Sequence, residues 1–295
     1  MKLGIIGGSG LYNIESIEKL DNITIDTPFG APSDPYLHGK IGDTELYFLP
    51  RHGRGHRISP SEINHRANIF GMKKLGVTHI LSISAVGSLK DNLAPKDIVF
   101  IDQYFDRTKQ NKNHTFFNDG IVAHIPFSHP ICPEFRDFVY NLTKNIPQQV
   151  DNKSSDLPKT VNGWTYVNLE GPAFSTIAES NYYRSMGFDL IGMTSLGEAK
   201  LAREAEICYC TAAMVTDYDC WHPDHDHVSV DMVINTMKSN VHTAKLIIEE
   251  TAANFSKLKR NCPCSSALQF SIMTSKECIP DKKKKDLDVI IGKYI

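Results

Sequence analysis

Short runs such as "ELYFLP", "VTHILSISAVG", "DIVFID", "TYVNLEG", "FDLIGMT" and "ICYCTAAMVTD" have the length of strands and stop at Gly, Pro, Asp or a polar cluster; several are apolar throughout rather than alternating. A strand apolar on both sides must be covered on both faces, the habit of a sheet sandwiched between helices. The intervening text supplies the helices. In "SPSEINHRANIFGMKKLG", Ser59 can cap, Pro60 suits the first helical position and Glu62 completes a capping box. Ile63, Ala67 and Phe70 then share one face until Gly76. Thr176 to Met186 and Leu196 to Ala205 also read as helices, and Val230, Val233, Ile234, Met237 and Val241 mark a long amphipathic helix behind a Ser229 cap. The alternation predicts one α/β domain over residues 1–255 with a largely buried sheet. Beyond it, residues 256–295 read as a partly irregular C-terminal extension ending in a solvated lysine run, Lys282–Lys285.

Charge narrows the function classes. A net charge of −2 over 295 residues, with one lysine run as the sole basic block, argues against nucleic acid or a membrane surface as partner. No window approaches the roughly 18 apolar residues of a membrane span, and the expectation is a cytoplasmic protein. Seven cysteines, an odd number in a long chain, do not form the framework of a small secreted domain.

The opening "MKLGIIGGSGLY" places Gly7, Gly8 and Gly10 behind a short apolar strand, where a chain can turn sharply and approach a ligand. A dinucleotide fingerprint from Gly8 needs glycine where Asn13 stands, and a P-loop needs lysine after Gly10. Neither is present. Polar clusters also follow other buried strands: Arg51 and His52 after "ELYFLP", Ser84 and Ala85 in "SAVGS", Thr194 in "MTSLGEA". Ligands bind at such strand ends. With Ser9, these residues offer a guanidinium fork, hydroxyls and close backbone N–H groups, a cradle for phosphate. Singly, Arg51 also reads as a surface ion pair and Ser9 as a turn former.

Asp217 and Asp219 close another apolar strand. Two apart in extended chain, they would point the same way toward adjacent polar atoms of a ligand, and a carboxyl protonated in an apolar pocket can serve as general acid. The alternative is an Asx turn that caps the strand. "WHPDHDHVSV" has metal-binding composition but no spaced structural zinc motif, so it reads rather as a polar loop over a pocket.

In chain order, "GIIGGSGL", "TPFGAPSD", "PRHGRGH", "SEINHRANI", "AVGSL", "DQYFDRT", "HIPFSHPICP", "LEGPAFSTIAES", "MTSLGEAKLAREA" and "TDYDCW" resemble the 5'-methylthioadenosine phosphorylases of the purine nucleoside phosphorylase superfamily, over about residues 3 to 255. The resemblance implies the nucleoside phosphorylase fold, with a mixed central sheet. It also implies phosphorolysis of 5'-methylthioadenosine, inorganic phosphate as co-substrate, no cofactor and no metal. Ser9, Arg51, His52, Ser84, Ala85 and Thr194 would hold phosphate, Ala85 through its N–H. Met193 would lie under the ribosyl group, Phe174 near the base, and Asp217 and Asp219 at N7 and the 6-amino group of adenine. Val230, Val233 and Ile234 would line the 5'-methylthio pocket, with His124 lent by a neighbouring subunit of a homotrimer whose active sites lie near subunit interfaces. Partners would be a nucleoside and phosphate, with no nucleic acid and no membrane.

Asp217 stands where relatives accepting 6-oxopurines carry Asn, which favours adenine over the broader substrate range of purine nucleoside phosphorylases. Departures are Gly197 for a frequent Pro, Ala173 for a frequent Arg, and a longer 145–163 loop. Cys262-Pro263-Cys264 and Cys208 resemble half-cystines of some thermophilic relatives; free thiols and disulfides both stay open here.

Overall fold

The computed structural model of the chain describes residues 1–8, 11, 14–109, 111–151, 157–223 and 230–295, the side chains at 19, 20, 111, 230–233 and 235 excepted. Its strands are β1 (Lys2–Gly7), β2 (Glu18–Ile23), β3 (Tyr36–Ile41), β4 (Thr44–Pro50), β5 (His79–Ser88), β6 (Ile98–Phe100), β7 (Gln103–Arg107), β8 (Thr160–Asn162), β9 (Thr165–Leu169), β10 (Leu190–Gly192) and β11 (Cys208–Asp217). The helices are α1 (His65–Lys74), α2 (Pro133–Thr143), α3 (Ile146–Val150), α4 (Ile177–Ser185), α5 (Ser195–Glu204), α6 (Val230–Asn254), α7 (Asp281–Asp286) and α8 (Asp288–Ile291). This is a mixed, largely buried α/β sheet flanked by helices, as expected.

The apolar runs are central because both of their faces are covered. Along β1, Leu3 and Ile5 pack with Cys210, Ala212 and Met214 of β11 beneath α2 and α6, through Phe135, Val139, Ala244 and Ile248. Ile6, with Tyr209, Ala213 and Val215, faces the other way onto α1 and α5, through Ile69, Met72, Ala199 and Ala202. The period-2 alternation of a strand thus feeds two helical layers, and each large side chain so buried contributes about 1.5–3 kcal/mol.

One path of the sheet runs β2-β3-β4-β1-β5-β10-β9-β7, while β11 lies along β5 and leads to β6 and β8. β5 is therefore a branch. β1 pairs parallel with it only from His79 to Ser82, and β10 pairs antiparallel only at Gly87 and Ser88. Between them, Ile83 to Val86 have no strand on that side among the described residues. The sheet splits there, at the carboxyl ends of the parallel strands β1, β4 and β11. Because β10 runs the opposite way, its end carries Met193, Thr194 and the start of α5 back toward the same opening.

Two expectations need correction. The capping box at Ser59 closes a 3-10 turn, Pro60–Glu62, and the helix begins later, at His65, capped by the Asn64 carboxamide accepting from Ala67 N–H at 3.1 Å. The two starts are consecutive, and a box motif alone does not say which kind of helix follows. The lysine run is helical rather than a free tail: Lys282 pairs with Asp286, Lys284 with Asp281 and Lys283 with Asp119. Around it, Ile279, Leu287, Ile290 and Ile291 are buried in the core. The expected Ser229 cap lies outside the described residues.

Candidate active site

The split in the sheet opens into a cavity of about 590 Å³. Its two ends differ in chemistry. At one, Arg51 follows β4 directly, fixed by its N–H donating to Gly7 O at 2.9 Å. Its guanidinium is buried and bidentate on Glu198 of α5, with Nε to Oε1 at 2.5 Å and Nη2 to Oε2 at 3.1 Å. Nη2 also donates to Ser82 Oγ and Nη1 to Ile83 O. Glu198 accepts further from Ser82 Oγ and Tyr209 Oη, each at 2.8 Å. Burial works to raise the Glu198 pKa, but the adjacent guanidinium outweighs it and holds the carboxyl below its ordinary range. Arg51 is thus neither a surface ion pair nor a bare charge. It is a neutralised buried cation lining the cavity, with one Nη1 hydrogen left beyond these described partners.

The Ile83 carbonyl that accepts from Arg51 marks the edge of β5 facing the gap. Backbone polar groups of alternate residues share an edge, so the N–H and C=O of Ala85 face it too. Ser84 also lines the cavity. Thr194, the residue before α5, spends no side-chain bond on capping, and so brings a hydroxyl and a helix N-terminus to the cavity. His52, expected among the phosphate ligands, lines the cavity with one ring nitrogen already used. Its Nδ1 lies 2.8 Å from Ile58 O, which can only accept, so Nδ1 carries the hydrogen. Burial, then the Arg51 charge, pushes the ring pKa down to about 4. At neutral pH Nε2 is therefore an acceptor.

At the other end, Asp217 closes β11. Its Oδ2 accepts from Thr216 Oγ1 at 2.7 Å and its Oδ1 from the Asp219 N–H at 2.8 Å. Asp219 has φ of 52°. The pair is an Asx turn and not the extended segment that would point both carboxyls one way, yet both line the cavity. The two readings of "VTDYDCW" describe one structure. Burial raises the pKa of each carboxyl above its ordinary value. Trp221 ties the next residues down, its indole N–H donating to Ser88 O at 2.7 Å beneath the Arg184 guanidinium.

The phosphorylase superfamily profile matches residues 2–253. The S-methyl-5'-thioadenosine phosphorylase of Geobacter sulfurreducens is 50% identical over 293 residues, 99% of this chain and 99% of the relative. A methylthioadenosine phosphorylase from an Antarctic soil metagenome superposes with a TM-score of 0.89 at 42% identity, over 98% of each chain. A variant of adenosine/methylthioadenosine phosphorylase from Schistosoma mansoni, solved in complex with methylthioadenosine, gives 0.81 at 36% identity, over 91% of this chain and 96% of that one. The chain belongs to the phosphorylase superfamily.

In this phosphorylase the cavity gathers Arg51, His52, Ser84, Ala85, Phe174, Met193, Thr194, Asp217 and Asp219. Ser9 and the side chains of Val230 and Val233 lie outside the described residues. Ile234 is 44% exposed and is not in the lining, which α6 reaches instead through Met237, Asn240 and Val241, a turn and more farther on. Leu11 and Met214 complete that apolar part. His124 is not in the cavity of its own chain; its N–H donates to Ser271 O.

Glu198 is the residue that strand-end reasoning missed. A signal was present, since it falls on the face of α5 shared by Leu201 and Ala202, where a buried carboxylate demands a cation. Gly87 was also missed: a Cβ there would lie 2.9 Å from Asp217 Oδ1 and 3.0 Å from Ile191 Cγ2. Gly197 has a comparable constraint, a Cβ falling 2.8 Å from the His114 ring.

Proposed function

We propose that this phosphorylase cleaves 5'-methylthioadenosine with inorganic phosphate, giving adenine and 5-methylthioribose 1-phosphate. What carries the reading is the division of one cavity into an anion end, with Thr194 at the start of α5, the Ala85 edge and the remaining Arg51 hydrogen, and a carboxyl end at Asp217. A phosphate oxygen attacks C1' as the C1'–N9 bond breaks with its electron pair going to the purine. Positive charge grows on the sugar and negative charge on the base. Asp217, its pKa raised by burial, gives its proton to N7, and adenine leaves neutral. The nearby Asp219 accepts from the 6-amino group. His52, neutral with Nε2 free of its proton, accepts the hydrogen of a monoprotonated phosphate and keeps the attacking oxygen outermost. No cofactor enters these steps.

Met193 lies under the ribose, and Phe174, half-exposed at the rim, covers the base. The apolar lining from Leu11, Met214, Met237 and Val241 suits a methylthio group better than a hydroxyl, which would be buried there without a partner. Val230, Val233 and Ile234 remain candidates for closing that pocket, and Ser9 for completing the phosphate cradle.

The working unit is a homotrimer in which His124 completes a neighbour's site. Support comes from Val122, Phe270 and Met273, which lie exposed beside His124 and suit a covered edge. The test of substrate choice is kcat/KM for 5'-methylthioadenosine, adenosine and inosine at saturating phosphate. The expected order has the methylthio substrate first and inosine last. Comparable inosine cleavage would place the enzyme among the broader purine nucleoside phosphorylases.

A further inference from the structure

At the opposite end of β11 from Asp217, about 30 Å along a ten-residue strand, lies a second cluster that the active site does not use. The sulfurs of Cys132, Cys208, Cys262 and Cys264 all lie within 4.8 Å of one another, and those of Cys208 and Cys262 are 3.3 Å apart. We propose that these cysteines form a structural site for a soft, tetrahedral divalent cation, zinc above all, which clamps the segment after Phe255 to the central sheet.

The donor set and spacing are those of a tetrathiolate centre. Zinc bound to sulfur at about 2.3 Å in a tetrahedron sets its ligand sulfurs about 3.8 Å apart, close to the separations in this cluster. Four protein ligands leave no open position, which separates a structural from a catalytic zinc. The ligands come from three places that need joining. Cys208 begins β11; Cys132 caps α2, its N–H donating to Tyr209 O at 2.9 Å; Cys262 and Cys264 sit on the 3-10 turn Pro263–Ser266. Glu134 of α2 accepts from the Asn261 N–H at 3.0 Å, fixing the turn beside the helix. Cys132, Cys208 and Cys264 are buried and Cys262 is half-buried, so the site is shielded from water and chelators.

A zinc tetrathiolate carries two net negative charges, and the surroundings answer them. Cys132 is the N-cap residue of the 11-residue helix α2, which brings its sulfur to the positive end of that helix. Arg260, two residues before Cys262, is held by Nη2 donating to Glu206 O, and its buried Nε has no partner among the described residues. That unused donor leaves a cation available on the segment that carries Cys262 and Cys264. Each thiol loses its proton to solvent as its sulfur binds, and no oxidation state changes. The alternative suggested by thermophilic relatives, disulfides among the same residues, needs an external oxidant.

Metal analysis of wild-type enzyme, purified with reductant and without chelator from zinc-supplemented cells, should give about one zinc per chain. Cys132→Ser and Cys264→Ser should each lower that content at least tenfold, while Cys278→Ser, which alters an exposed cysteine outside the cluster, should leave it unchanged. Wild-type protein loaded with cobalt should show the thiolate-to-metal charge-transfer and d–d bands of tetrahedral Co(II), a readout that does not depend on any variant folding. Wild-type protein that is metal-free and shows no such bands overturns the site, as does an intact mass lower by four hydrogens, the mark of two disulfides. Either result leaves the phosphorolysis reading untouched, because that reading is measured on nucleoside cleavage.

Discussion

Asp217 closes the turn that places Asp219, and on the proposed mechanism the same carboxyl protonates the leaving purine. Asp217→Asn keeps an oxygen for the Asp219 N–H and removes the acidic proton, so kcat on 5'-methylthioadenosine should fall about 10²- to 10⁴-fold with the fold intact. Steady-state kinetics alongside circular dichroism would check it; unchanged kcat removes Asp217 from the mechanism. Gly87 acts through Asp217. A Cβ at 2.9 Å from Oδ1 must displace the carboxyl or β5, and Gly87→Ala should lower kcat by about tenfold or more. Added to Asp217→Asn, it should cost little further, since the group it displaces no longer donates. In the sequence the two aspartates were legible as a pair at a strand end. Their turn was legible as one of two alternatives; what decides for it is the positive φ at Asp219, beside the register shift between Val215 and Asp217 and the close approach of Gly87, which no local pattern encodes.

Elements are joined here by buried charge as much as by apolar faces. The Arg51–Glu198 pair couples the end of β4 to α5 with both groups dry. Glu198→Gln leaves an uncompensated guanidinium in the core, and a loss of about 3–5 kcal/mol in denaturant unfolding is expected. The same helix carries Glu204, buried and accepting from Phe116 N–H and Thr115 Oγ1, with its pKa raised by burial to about 7. A carboxyl whose folded pKa lies above its unfolded value stabilises fully below the unfolded pKa and loses that contribution as pH rises through about 7. Urea unfolding between pH 5 and 8 should therefore show Glu204→Gln with a flatter decline toward high pH than wild type. Equal slopes would mean that Glu204 is ionised throughout. The helices α1, α4, α5 and α6 were legible because the apolar period is local; α1 starts later than the capping box at Ser59 because the Asn64 carboxamide accepts from the Ala67 N–H and sets the first turn there. The pairing of Glu198 with Arg51, 147 residues away in the chain, needed the third dimension.

At the scale of the molecule, the branch at β5 makes the site. One strand is shared by two partial neighbours, and where neither lies alongside among the described residues, four residues turn their edge to a cavity instead of a ladder. Continuous apolar runs announced the buried sheet, since burial on two faces is written into composition, whereas strand order and the split depend on pairings between distant segments. The same limit hid Cys132, whose partners follow it by more than seventy residues. Assembly is also a property of this scale: light scattering should give a trimer, and Phe270→Glu, which puts a charge on the exposed edge beside His124, should shift it toward monomer. A trimer unaffected by that change would place the interface elsewhere. On the proposed mechanism phosphate, not water, attacks C1'. The most direct measurement follows 5'-methylthioadenosine with and without phosphate, with phosphorus NMR identifying the sugar product. Adenine release that requires phosphate and forms 5-methylthioribose 1-phosphate in equal amount is expected. Adenine release at the same rate without phosphate, leaving free methylthioribose, would contradict the account.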